Sequence, residues 1–146
     1  MKWTISFCLL FIWACSYSQN TDDTVAIKKL LEKESATYRS GDVKAHADCW
    51  KIRPYSVILI STADGHAFSL PAESMVHPSE NMGKGGFAVN ANYKISIHGD
   101  NAWVCHDEES TSKDGVKTFS YEMKMLEKIN GEWKLVAASM HFYKKP

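Results

Sequence analysis

Between residues 22 and 40 the chain alternates apolar and charged positions with a helical period. Ile27, Leu30, Leu31, Glu34 and Tyr38 recur on one face, and Lys28, Lys29, Glu32 and Lys33 occupy the other. Asp22-Asp23-Thr24 offers N-cap residues and acidic charge where this helix is expected to start. Gly41 is placed to end it, and Asp42 to cap a second, short helix over "DVKAHADCW", in which Val43, His46, Ala47 and Trp50 share a face. After Pro54 the pattern changes. Val57 to Ile60 is a β-rich run, Asp64-Gly65 a hairpin turn, and Pro71 the first turn of a short helix that runs into the glycine loop "GKGG" at 83–86. Four strands then follow: "FAVNANYKISIHG", "NAWVCHDEESTS", "VKTFSYEMKMLEKI" and "EWKLVAASMHFYK". Gly99-Asp100, Asp114-Gly115 and Asn130-Gly131 punctuate them. Helices, a strand pair, a short helix and an antiparallel meander together predict an α+β domain.

The first residues obey a different rule. Lys2 precedes an apolar run from Thr4 to Ala14, too short to span a bilayer, and Ser16 and Ser18 place small residues before Gln19. This predicts a signal peptide over residues 1–18 and one exported domain over 19–146, periplasmic or secreted. Ile12-Trp13-Ala14-Cys15 also resembles a lipobox, with Trp13 a poor fit; lipidation of Cys15 would tie the protein to a membrane. The formal net charge is zero, with 17 basic and 17 acidic side chains, and no basic patch marks a nucleic-acid surface. Cys49 and Cys105 fit no zinc spacing and are expected as two free, buried thiols. No metal or cofactor is expected. "GKGG" lacks the Ser/Thr and the strand context of a phosphate loop.

The layout resembles the NTF2-like superfamily, and within it the SnoaL-like domains, over essentially the whole of residues 19–146. "YRSGDVKAHADCW" is similar to the family's helix, Gly-Asp, second helix and Trp. "GDNAWVCHDEES" resembles its Gly-Asp-x-Ala-x-Val strand, and "FSYEMKMLEKINGEWKLVAASMHF" its last hairpin. The resemblance implies helices packed on a curved, mostly antiparallel sheet, forming a cone with a pocket at its open end. It also implies a homodimer through the convex sheet face. It implies no single activity, because this fold serves isomerases, dehydratases, hydrolases and assembly domains alike.

Candidate site residues follow from the strand alternation. Trp103, Cys105, Asp107 and Glu109 share one face of their strand, and His106 and Glu108 the other. The bulk of Trp103 points to a core, and the family's strand turns the equivalent residues inward. Asp107 is therefore expected in the cone. There it is either a hydrogen-bonded structural acid or a general base with Tyr121 and His141 as partners. His106 and Glu108 are expected on the convex, interface side. Phe119, Tyr121, Met123 and Met125 form one face of the next strand. Trp133, Leu135, Ala137, Ser139, His141 and Tyr143 form one face of the last. On this reading Trp50, Tyr55, Trp103, Glu109, Met123 and Ser139 line a pocket for a small, partly apolar ligand. The alternatives are an isomerase, dehydratase or hydrolase working through Asp107, and a dimerisation module that binds nothing.

Overall fold

The computed structural model describes the backbone of residues 5–145 and the side chains of residues 21–145. The expected leader and its Cys15 lie outside the residues whose side chains are described. Helix α1 (Ile5–Ser40) is followed by α2 (Val43–Ala47), β1 (Val57–Ser61) and β2 (Ala67–Pro71). A 3-10 turn (Ala72–Met75) and the glycine loop lead to β3 (Phe87–His98), β4 (Asn101–Thr111), β5 (Lys117–Ile129) and β6 (Glu132–Tyr143). The six strands form one sheet in the order β2-β1-β6-β5-β4-β3, antiparallel except where β1 runs parallel to β6. This is the expected α+β architecture, with α1 lying across one face of the sheet.

The core forms where the apolar stripe of α1 meets the sheet. Ile27 and Leu31 pack with Cys49, Trp50, Val104, Leu126 and Leu135, all buried. Each large aliphatic side chain so buried contributes about 1.5–3 kcal/mol. The expected cap at Asp22-Asp23-Thr24 is not formed, because α1 runs through these residues. Asp23 is instead buried against the sheet, where its carboxylate accepts from Lys128 Nζ at 2.6 Å and Trp133 Nε1 at 3.0 Å. These donors outweigh the effect of burial and hold Asp23 below the usual carboxylate range.

Gly41 ends α1 in the left-handed region (φ 78°), and Asp42 caps α2 by accepting from Ala45 N at 3.0 Å. The glycine loop folds back on the end of α1. Gly83 N and Gly85 N donate to the carbonyls of Tyr38 and Arg39 in the last turn, both at 2.9 Å. A Cβ on Gly41 would meet Gly83 Cα at 3.0 Å, so the close approach needs glycine on both sides. Asn130-Gly131 has positive φ at both residues, 51° and 85°, as a tight hairpin turn requires.

Two bulges decide which side chains face α1. In β6, Met125 pairs with Ala137 but Leu126 pairs with Leu135, so Val136 is an extra residue. In β3, Ala91 pairs with Asp107 and Lys94 with Cys105, leaving Asn92 and Tyr93 opposite His106 alone. Asn92 adopts the left-handed conformation there (φ 55°). Each extra residue exchanges the inner and outer sets along its strand.

Candidate functional site

A cavity of about 410 Å³ opens between α1, the 3-10 turn, the glycine loop and the inner face of the sheet. Its wall is apolar towards β1, β2 and β6, where Ile60, Leu70, Met75, Met140 and Phe142 line it. Its floor is charged. Glu34, Ser35, Tyr38 and Arg39 come from one face of α1, and Glu108, Glu122 and Lys124 from the inner positions of β4 and β5. The helical period supplies the first set, and the alternation Ser120, Glu122, Lys124, Leu126 the second.

The floor is organised by one buried and one partly buried ion-pair group. Lys124, almost fully buried, donates to Glu34 Oε2 at 2.9 Å and lies 3.1 Å from Glu122 Oε2. Burial alone would lower the pKa of this ammonium. Glu122, Glu34 and Glu108 outweigh burial and raise it above the ordinary lysine value. Arg39 donates to Glu108 Oε1 at 2.8 Å, to Ser35 Oγ at 2.8 Å, and to Ser110 Oγ. Glu122 Oε1 accepts from Ser120 Oγ at 3.0 Å. Glu122 Oε2 accepts no hydrogen bond: the Lys124 contact is poorly angled, and His106 Nε2 stands 3.8 Å away.

Two buried histidines flank the floor. His106 lies directly across from Glu122 and packs on Tyr93, with ring centroids 5.4 Å apart. Burial, and then the charge of Lys124, push its pKa below the usual histidine value, so it is neutral near pH 7. His46, 0% exposed, is a core histidine, held through Nδ1 by the Glu34 carbonyl at 3.1 Å.

The expected orientation of β4 is reversed. Ala102, Val104 and His106 are buried under α1, whereas Trp103 is 43% exposed on the outer face. Glu108 likewise faces inward, onto Arg39. The cause is the β6 bulge. Trp133 and Leu135 do face the core, but beyond Val136 the inner positions are Ala138, Met140 and Phe142. Ser139, His141 and Tyr143 are turned outward, and the cross-strand register carries Tyr121 and Asp107 with them.

Asp107, Tyr121 and His141 do come together, in a row across β4, β5 and β6, but they line a broad open depression of about 670 Å³ on the outer face. Asp107 accepts from the bulge residue Asn92 (Nδ2) at 2.6 Å, and Tyr121 stacks on Tyr143 at 4.5 Å. His141 shares hydrogen bonds with Ser139 Oγ at 2.8 Å and Ser61 Oγ at 3.2 Å. The enclosed, apolar surroundings expected for Asp107 are absent.

The remaining candidates also lie outside the cavity. Met123 is exposed beside Cys105 on the outer face, and Glu109 is engaged there by Lys117 and by Lys145 at 3.6 Å. Tyr55 is 59% exposed and bonds Glu127, which Arg53 also holds at 2.6 Å. Trp50 is core and bridges to Leu135. Cys49 and Cys105 are free, as expected, but only Cys49 is buried; Cys105 is half-buried and outward. Among the described residues no cluster of His, Cys, Asp and Glu could hold a metal ion.

The residues that do form the floor were hidden by their own polarity. Glu122 and Lys124 alternate with Tyr121, Met123 and Met125, so the apolar set reads as core and the charged set as surface. Glu34, on the apolar face of α1, was the available clue, since a buried carboxylate needs a cation opposite it.

No protein-family profile matches the chain. No curated protein matches it either. Solved structures do. An NTF2-like protein of unknown function from Shewanella baltica superposes with a TM-score of 0.61 at 18% identity, over 86% of this chain and 97% of its own. A candidate dehydratase of the NTF2-like family from Streptomyces avermitilis gives 0.68 at 15% identity, over 86% and 99%. A candidate Ca/calmodulin-dependent kinase II association domain from Exiguobacterium sibiricum gives 0.62 at 12% identity, over 85% and 95%. At these identities the likeness concerns the fold, and the fold of this chain is NTF2-like: an α+β cone in which α1 closes the inner face of a curved sheet.

Proposed function

We propose that this protein is a small-molecule-binding domain whose site is the cavity between α1 and the inner sheet face. The observation that carries the reading is the pairing of an apolar wall with a buried, prearranged charged floor in one 410 Å³ space. Ligand sites have this composition and this size. Buried ion pairs are costly to maintain, so a floor built of Glu34, Lys124, Glu122, Arg39 and Glu108 argues for use beyond stability. The pattern of residues 1–18 supports export of the domain, to be tested by N-terminal sequencing of the secreted protein: a start at Gln19 is expected, and a lipidated Cys15 would replace it with a membrane-tethered form.

The test of the binding reading is a thermal-shift screen of small amphipathic compounds on the wild type and on Leu70→Trp, which fills the apolar wall. At least one compound class should raise the melting temperature of the wild type and not of the variant. Stabilisation that survives in Leu70→Trp would place the ligand elsewhere.

A second reading concerns the outer face. Trp103, Tyr121, Met123 and Met125 are each 43–55% exposed and adjacent across β4 and β5, which makes one apolar surface. Monomers rarely leave such a surface in water. We infer a homodimer through it, formed by the odd-numbered side chains of β4 and β5 and not by His106 and Glu108, which point inward. Sedimentation of Met125→Lys should show a monomer; a wild type that is itself monomeric at high micromolar concentration would remove the reading.

A further inference from the structure

The charge balance of the cavity floor selects a class of ligand. Glu34, Glu108 and Glu122 meet two permanent cations, Lys124 and Arg39, so carboxylates outnumber lysine and arginine by one at the floor; the neighbouring imidazoles stand farther off, His46 Nε2 3.9 Å from Glu34 and His106 Nε2, neutral near pH 7, 3.8 Å from Glu122. Lys84 also lines the cavity, but it is exposed at the mouth, where its ammonium donates to Asn81 Oδ1 at 2.8 Å and solvent screens it. Buried Lys124 and partly buried Arg39 are already held by carboxylates. Among the described residues that line the cavity, the buried side-chain atom left without a hydrogen bond is an acceptor. Glu122 is 5% exposed and lines the cavity, and its Oε2 has no hydrogen-bond donor. The Lys124 contact at 3.1 Å leaves this acceptor without a well-aligned proton. An anion entering here would meet the excess negative charge. A neutral molecule would leave it uncompensated.

We propose, building on the binding reading above, that the cavity takes a small organic cation: a primary amine or amidine on a compact apolar body. The cationic head donates to Glu122 Oε2 and completes the charge balance of the floor. The body rests on Leu70, Met75, Met140 and Phe142. The wall gives affinity through apolar burial, and the excess carboxylate gives selection by charge.

The test compares three probes of nearly equal size, 2-phenylethylamine, 2-phenylethanol and phenylacetate, by calorimetry on the purified protein at pH 7 and low salt. The amine should bind at least about tenfold more tightly than the alcohol, the scale of a hydrogen bond to a charged group, and phenylacetate should bind most weakly. In Glu122→Gln the advantage of the amine over the alcohol should vanish while alcohol binding remains. Phenylacetate binding as tightly as the amine, or an amine advantage that survives Glu122→Gln, overturns the charge selection and leaves the binding cavity intact. Failure of all three probes to bind overturns the cation proposal, and the thermal-shift screen against Leu70→Trp decides the binding reading separately. If Glu122→Gln does not fold, Met75→Trp takes its place: amine binding should fall at least tenfold, and unchanged binding overturns the proposal.

Discussion

Replacing Lys124 with methionine probes the organisation of the floor most directly. The aliphatic stem is preserved in volume, and only the ammonium is removed. That ammonium lies 2.9 Å from Glu34 and 3.1 Å from Glu122, and the three side chains are 5%, 11% and 4% exposed. Removing one partner of a buried ion pair costs about 3–5 kcal/mol, because the remaining charge is stranded without water. Here two carboxylates are stranded together, so a loss near the upper end is expected, a large part of the roughly 5–15 kcal/mol that holds a domain folded. The pH dependence gives a second readout. Its window is alkaline. The raised Lys124 contributes stability that is full below the ordinary lysine value and is lost as pH rises above it. Urea unfolding followed by tryptophan fluorescence at pH 7, 9 and 11 measures the deficit and its expected narrowing above the ordinary lysine value. Combining Lys124→Met with Glu34→Gln and Glu122→Gln should recover most of the loss. A Lys124→Met deficit below about 1 kcal/mol, flat across this pH range, would mean that the carboxylates reach water and that no closed charged floor exists.

His106 has its folded pKa depressed by burial and by Lys124, so its contribution to stability is full above about pH 6.5 and is lost as pH falls towards the folded value. His106→Gln should flatten the decline in melting temperature between pH 7 and 5, and an unchanged slope would assign the decline to other groups. Gly86→Ala would place a Cβ 2.2 Å from the Thr111 carbonyl oxygen at a φ of 85°, and should cost more than about 2 kcal/mol in chemical denaturation. Gly99→Ala, with φ 58° and open space around it, should cost about 1 kcal/mol. A thiol reagent at pH 8 should label half-exposed Cys105 well before Cys49, which is buried and whose pKa burial pushes up to about 11; labelling at equal rates would show the core opening freely.

The elements were legible in the sequence because each rests on local chemistry. The period of Ile27, Leu31 and Glu34, the left-handed requirement at Gly41 and the paired positive φ values of Asn130-Gly131 are properties of a few neighbouring residues. The start of α1 was misread at Asp23, where a good capping residue serves a tertiary purpose, holding Lys128 and Trp133 from strands more than a hundred residues away. No local pattern distinguishes those two uses of an aspartate.

The site was less legible, and one residue accounts for most of the difference. Trp133 and Leu135 face the core, and unbroken alternation would carry Ala137, Ser139 and His141 there too. Val136 adds one residue, and everything beyond it on β6 changes face. Register then passes the reversal across the sheet, from His141 to Tyr121 to Asp107. An apolar row of Trp103, Met123 and Met125 is left outside, and a charged row of Glu108, Glu122 and Lys124 within. A hydrophobicity pattern reports that two faces differ. It does not report which one a helix covers. Here α1 brings Glu34, Ser35 and Arg39 to the sheet, and these need Lys124, Glu122 and Glu108 as partners more than they need methionine or tryptophan. The polar content of the helix therefore determines which row is buried. The same pairing that orients the sheet also equips the cavity, since the carboxylate left over when Lys124 and Arg39 have been matched is the one available to a ligand.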